Sequence, residues 1–312
     1  MILNTGSRTD IPAFFSDWFY NRVQEGYVLV RNPYYPQQVT RYRLAPELID
    51  ALVFCTKNPE PMLARLNLLK AYAMFWSVTI TPYGEDIEPY VPAKAQVAAS
   101  FRRLAELVGP EKLSWRYDPV LITETYTIER HIEEFRRLAE ALSGSTDKCV
   151  VSFIDLYAKT VRNFPEARAV SALEQRILID AFSDCAAQNG MRIYLCCEDA
   201  GLAGKNVDAG GCLSQQVLES ALGLKLRVPR KKPARRECAC LLGADIGAYN
   251  TCAHGCKYCY ANYDRVQVLR NLRKHDKASP FLIGGLKSTD IIKDAVQSLW
   301  QEREIDLFGP NA

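Results

Sequence analysis

The chain has 312 residues, of which 48% are hydrophobic and 24% charged, values of an ordinary globular protein that exclude a disordered or low-complexity chain. Net charge is +3, from 39 basic and 36 acidic residues, which argues against nucleic acid or an anionic membrane as a partner. Three histidines are too few for a His-rich hydrolytic metal site, whereas eleven cysteines are many, and eight of them fall between residues 196 and 259.

Residues 1–200 repeat one pattern: a short apolar strand, a polar or Pro-containing loop, then an amphipathic helix. Strands are expected at Ile2–Asn4, Leu52–Cys55, Met74–Ile80, Leu113–Arg116, Cys149–Ile154 and Ile193–Cys197, rich in the β-branched and aromatic residues of buried parallel strands. Between them, Phe14, Phe15, Trp18, Phe19 and Val23 share a helical face, as do Val97, Phe101, Leu104 and Val108. Ile128, Ile132, Phe135, Leu138 and Leu142 form a third stripe, and Leu173, Ile177, Ala181 and Cys185 a fourth. Gly26, Gly109, Gly144 and Gly190 are placed to end these helices. Alternating β and α elements predict an α/β fold with a parallel sheet, and six or seven such units suit a partial or complete TIM-like barrel.

From Gly201 the pattern loosens, with one helix expected at Gln215–Leu222 and six basic residues between Arg227 and Arg236, interrupted by Pro229 and Pro233. Such a run reads as a solvated linker, with an anion contact as the alternative. Further on, Ala244 to Tyr249 reads as a strand, Asn250 to Tyr260 as its loop and Asn262 to Lys274 as a helix. A short docked helix is expected from Thr289 to Trp300, followed by frayed residues. The chain thus divides into a barrel (1–200), a cysteine-containing linker (201–240) and a C-terminal part (241–312) belonging to the same barrel.

In a barrel, the loops after the strands share one mouth, where active sites are built. They carry Arg8, Asp10, Lys57, Arg116, Asp118 and Asp155. Arg and Lys suit a carboxylate or phosphate, and Asp an amine or ribose hydroxyl, so these six are candidate substrate contacts. The alternative is that Asp and Pro are simply good cap and turn residues. The N-terminus shows no basic start followed by an apolar stretch, and the longest apolar run, Ala71 to Ile80, is half of the ~20 residues that span a bilayer. A cytoplasmic location with reduced thiols is therefore expected, where clustered cysteines bind metal or do redox chemistry.

Cys252, Cys256 and Cys259 form a C-x3-C-x2-C array ahead of a helix. Three thiolates suit a [4Fe–4S] cluster with one iron open to another ligand, and Tyr258 would wall that position. Zinc is the alternative, with Cys240 or His254 as fourth ligand, although C-x3-C-x2-C lacks the paired C-x2-C of structural zinc sites. His254 fits better as a loop residue beside the site. Cys196, Cys212, Cys238 and Cys240 can supply a second cluster or a closed zinc site. Cys197 is set aside because neighbouring strand residues point to opposite faces. Cys55, Cys149 and Cys185 read as packing residues.

The Cys252–Tyr260 stretch, with an aromatic before the last cysteine, resembles the radical S-adenosylmethionine enzymes. The resemblance implies that the open iron chelates S-adenosylmethionine, that Tyr258 packs by its adenine, and that an external donor such as flavodoxin or ferredoxin reduces the cluster to act on a small-molecule substrate. In that superfamily the motif follows the first barrel strand; here it lies near the C-terminus. Over most of its length the chain is similar to a bacterial family of unknown function with a C-terminal radical-type cysteine cluster. The matching stretches are Ser7–Pro12, Thr56–Pro59, Trp115–Pro119 and Asp245–Cys252. A circular permutation reconciles the order if the strand at Ala244 lies beside Ile2–Asn4, placing Cys252 near Arg8 and Arg116. Two other classes remain: a zinc-stabilised binding protein without chemistry, and an iron–sulfur protein that does not use S-adenosylmethionine. No dinucleotide fingerprint, P-loop or Ser/His/Asp pattern in recognisable context is present.

Overall fold

The computed structural model describes residues 1–229, 238, 240, 241 and 243–302. Most of the basic run and the final ten residues lie outside the described residues. Eleven strands are described: β1 (Ile2–Asn4), β2 (Tyr27–Arg31), β3 (Gln38–Arg43), β4 (Ala51–Thr56), β5 (Met74–Thr79), β6 (Leu113–Val120), β7 (Lys148–Phe153), β8 (Arg192–Leu195), β9 (Val207–Asp208), β10 (Ala244–Asp245) and β11 (Ile291–Asp294). The helices are α1 (Ile11–Phe14), α2 (Ser16–Glu25), α3 (Glu60–Leu63), α4 (Lys94–Val108), α5 (Ile128–Leu142), α6 (Ala158–Asn163), α7 (Ala172–Gln188), α8 (Gln215–Leu222) and α9 (Arg265–Leu272).

Eight strands form one parallel sheet in the order β10-β1-β4-β5-β6-β7-β8-β9. The expected α/β architecture is present, but the barrel does not close: among the described residues β9 and β10 are the two edges. Strand alternation gives the sheet two unlike faces. Leu3, Leu52, Phe54, Trp76, Val78, Trp115, Tyr117, Val151 and Ile193 pack with the buried stripes of α2, α4, α5 and α7 in the main core. On the opposite face, Ile2, Val53, Phe75 and Val150 are covered by α8 through Val217, Leu218 and Ala221, together with Leu226 and Trp300. This plug occupies the apolar end of the inner face and leaves the C-terminal strand ends to polar side chains.

Several expectations need correction. The tract after Gly26 forms a hairpin, β2 against β3, and Ile291–Asp294 adds to it as a parallel third strand. The expected helix at 289–300 is therefore absent, and the chain stays extended until Trp300 docks with its backbone N–H on the Asp50 carboxylate. The apolar spacing of Ile292, Val296 and Trp300 misled because Val296 points wholly into solvent. In α7 the buried face is Leu178, Ile179, Phe182, Cys185 and Ala186, whereas Leu173 and Ile177 are exposed. Phe182 sets that rotation by stacking on Phe135 at a centroid distance of 4.1 Å. The strand expected at Ala244–Tyr249 stops at Asp245. Among the described residues no helix is long and apolar enough to cross a membrane.

Two stability predictions follow from this packing. Leu218, fully buried under the sheet, should cost about 2–5 kcal/mol on replacement by Ala, measured by urea denaturation, while exposed Leu173→Ala should cost less than about 0.5 kcal/mol. His131 is buried on α5, with Nδ1 2.8 Å from the Tyr117 hydroxyl and Nε2 2.8 Å from the Leu121 carbonyl oxygen. Burial pushes its pKa down to about 4 from 6.5. The unfolded chain then binds more protons between those values, so this contribution is complete above pH 6.5 and is lost as pH falls towards 4. The stability advantage of the natural chain over His131→Gln should therefore shrink from pH 7 to pH 4; a constant difference contradicts it.

Candidate metal centre at the strand ends

The cysteine loop is delivered by β10. Leu3 and Asn4 pair with Ala244 and Asp245, and the Ile246 N–H continues the ladder to the Asn4 carbonyl at 3.1 Å. The predicted adjacency of this strand to β1 is thus what the sheet shows. The loop is then pinned at both ends: the Asn250 N–H donates to the Ala261 carbonyl (3.0 Å), and the Asn262 side chain donates to the Cys252 carbonyl (2.8 Å). It also hangs on the segment after β5, since the Tyr90 N–H donates to the His254 carbonyl (3.2 Å) and the Lys257 N–H to the Ile87 carbonyl (3.1 Å). Gly255 sits at φ +70° against Tyr90 and Pro89, where a Cβ would lie 3.0 Å from the Tyr90 ring. A side chain there would be strained by both backbone and space.

Cys252, Cys256 and Cys259 are half-buried and lie within electrostatic range of one another. Burial pushes the thiols of Cys252 and Cys256 up, and Lys57 is the cation that opposes this at Cys256. Asp10 ties three loops together. It caps α1 by accepting from the Ala13 N–H (3.0 Å), and its other oxygen accepts from the Lys57 N–H (2.8 Å) and faces His254 Nε2 (2.9 Å). Glu88, which sequence reasoning missed, accepts from Lys57 Nζ (2.8 Å), from the Thr81 hydroxyl (2.7 Å) and from the Tyr258 hydroxyl. Burial works against both charges, yet the pair holds Lys57 above and Glu88 below their ordinary pKa values. Tyr258 is thereby fixed by its hydroxyl, with its ring edge-on to Tyr83 at 6.0 Å.

The remaining predicted residues are engaged elsewhere. Arg8 bonds Asp245 through Nε (2.9 Å) and the Asp245 backbone carbonyl through its guanidinium (2.6 Å), tying the loop after β1 to β10. Arg116 pairs with Asp118, whose other oxygen accepts from the Ser152 hydroxyl, and its guanidinium reaches Cys212 and Cys196 at 3.3 and 3.7 Å. Asp155 is exposed and accepts from the Tyr157 hydroxyl at 2.9 Å. Cys55 is not a plain packing residue. It is half-buried on the inner face of β4, within electrostatic range of Arg116, Asp10, Asp118 and Lys57. Cys197 also departs from expectation. The strand ends at Leu195, alternation lapses, and a left-handed φ of 60° turns the Cys197 thiol back onto Cys196 and Cys238.

The donor set bears on what the loop could hold. Among the described residues no three His, Cys, Asp or Glu side chains close on one point at single-ion distances. Cys252, Cys256 and Cys259 are an all-sulfur set of three, which in type and number fits a [4Fe–4S] cluster with one iron left open.

The Lys57–Glu88 pair yields a stability test. Glu88→Ala strands a buried ammonium and should cost about 3–5 kcal/mol in urea denaturation. Adding Lys57→Met should recover much of that loss; additive losses would contradict the coupling.

Neither the curated proteins nor the solved structures contain a match to the chain. The family model described as a domain of unknown function, DUF1848, matches residues 2–261, and the chain belongs to that family.

Proposed function

We propose that the chain is an iron–sulfur enzyme of the radical S-adenosylmethionine type, with Cys252, Cys256 and Cys259 holding a [4Fe–4S] cluster. The observation that carries this reading is the parallel pairing of β10 with β1. It puts a late cysteine loop where a first-strand loop would sit in an unpermuted barrel, at the C-terminal ends of the sheet. When bound and reduced, such a cluster supplies one electron to cleave the sulfonium of S-adenosylmethionine, giving methionine and a radical that abstracts hydrogen from substrate.

The chain's own residues prepare that site. Lys57, beside Cys256, offsets negative charge on the thiolates. Glu88 holds Lys57 and the Tyr258 hydroxyl together, so the Tyr258 ring keeps one orientation next to Cys259 in the loop that would hold the cluster. Asp10 and His254 lock the loop to α1 and to the loop after β4. Arg8, Asp10, Arg116 and Asp118 serve mainly as internal partners, so substrate contacts fall to the exposed rim that includes Asp155. A small-molecule substrate and an external electron donor such as flavodoxin or ferredoxin belong to this proposal.

Anaerobically reconstituted protein should bind iron and acid-labile sulfide and release 5′-deoxyadenosine when given S-adenosylmethionine and a strong reductant. Cys256→Ala should abolish release. Zinc without sulfide in the natural chain, or a fully active Cys256→Ala variant, would overturn the proposal.

A further inference from the structure

A second set of thiols gathers away from the C-x3-C-x2-C motif in sequence, around the ends of β8 and β9 and the start of β10. Cys196 ends the inner-face row of β8, Cys212 follows β9, and Cys240 precedes β10. The Cys212 sulfur is 3.3 Å from both the Cys196 and the Cys240 sulfurs, and Cys196 and Cys240 also touch. Cys197 adds a fourth thiol against Cys196, and Cys238 a fifth against Cys197. Three separate chain segments thus converge through sulfur. A thiol used only as a small apolar residue has no reason to seek other thiols.

The surroundings point the same way. Arg116 turns its guanidinium onto two of these sulfurs, at 3.3 and 3.7 Å, from a buried position braced by Asp118 and Ser152. A buried cation aimed at sulfur matches a group that carries negative charge when functional. Leu213, Leu218, Leu241 and the Tyr194 ring form an apolar side to the group, and Glu198 lies within electrostatic range of Cys196.

We infer that Cys196, Cys212 and Cys240, with a fourth thiolate from the touching Cys197–Cys238 pair, form a closed site for a single zinc ion. The thiols contact one another and do not yet surround a common point. Zinc entry releases the four thiol protons to solvent and opens the 3.3 Å contacts by about half an ångström, to the edge length of a tetrahedral zinc–thiolate site. An iron–sulfur cluster would demand a much wider opening of the same group. The site carries a net charge of −2 beside the Arg116 guanidinium, which Asp118 shares, and its role is to fix the open edge of the sheet between β9 and β10. The inference goes beyond the proposed activity and does not depend on it.

The test uses the full-length Cys252→Ala/Cys256→Ala/Cys259→Ala variant, which removes the other sulfur site. Purified without oxygen, it should retain one zinc per chain and neither iron nor sulfide, with an X-ray absorption shell of four sulfurs at about 2.3 Å. Iron with sulfide, a nitrogen- or oxygen-rich zinc shell, or no metal would each overturn the inference. Should that variant fail to fold, thiol labelling of the natural chain decides: Cys196, Cys212 and Cys240 should react with an alkylating reagent only after a zinc chelator is added. Equal labelling before and after the chelator overturns it. Arg116→Gln should weaken zinc binding roughly 10- to 100-fold in competition with a chromogenic chelator. A failure of the radical-enzyme proposal would show as absent iron in the natural chain and would leave these zinc counts unchanged.

Discussion

The pairing of β10 with β1 is the constraint on which the rest depends. Only two residues on each strand are in register, Leu3 with Ala244 and Asn4 with Asp245. A ladder that short is weak alone, and the Arg8–Asp245 ion pair supplies a side-chain clamp across the same junction. From this anchor residues 250–262 emerge at the C-terminal ends of β1 and β4. Every contact of the cysteine loop with Asp10, Lys57, Glu88 and the 87–90 segment follows from that placement. Closely packed interiors transmit such a constraint, because a shifted β10 would leave buried polar atoms of the loop without partners.

A second feature is how much charge the strand ends bury, and how completely it is paired. Lys57 with Glu88, Arg116 with Asp118 and His254 with Asp10 lie side by side, mostly out of solvent. Buried pairs of this kind contribute little net stability, since desolvation offsets their attraction. Their value here is positional. Lys57–Glu88 and His254–Asp10 each join side chains from separate loops, while Arg116–Asp118, both on β6, holds the guanidinium against the Cys196 and Cys212 thiols.

Much of the parallel sheet was legible in the sequence because buried parallel strands are short runs of Val, Ile, Phe and Trp between cap and turn residues. The strand beginnings at Ile2, Met74 and Leu113 fall where that pattern places them. In the hairpin, Val28–Val30 of β2 carries an apolar run, but β3 interleaves its apolar residues with arginines and polar residues and so lacks the pattern of a buried strand. The strand β11 was hidden because its apolar spacing imitates a helix, and only long-range pairing with β3 distinguishes the two. In the site, the spacing of Cys252, Cys256 and Cys259 carries its own signal, whereas Glu88 stands in an ordinary loop sequence and is identified only by the three groups that converge on it. Arg8 and Arg116 are candidate ligand contacts by residue type; of their partners in the structure only Asp118 is local to Arg116, while Asp245 and the Cys196 and Cys212 thiols are far away in sequence.

Electron paramagnetic resonance of the anaerobically reduced protein, recorded with and without S-adenosylmethionine, tests the central claim most directly. The account predicts a reduced [4Fe–4S] signal whose g-values change when S-adenosylmethionine is added, because one iron is left open by the three cysteines. A cluster signal indifferent to S-adenosylmethionine, or no cluster signal, would contradict it.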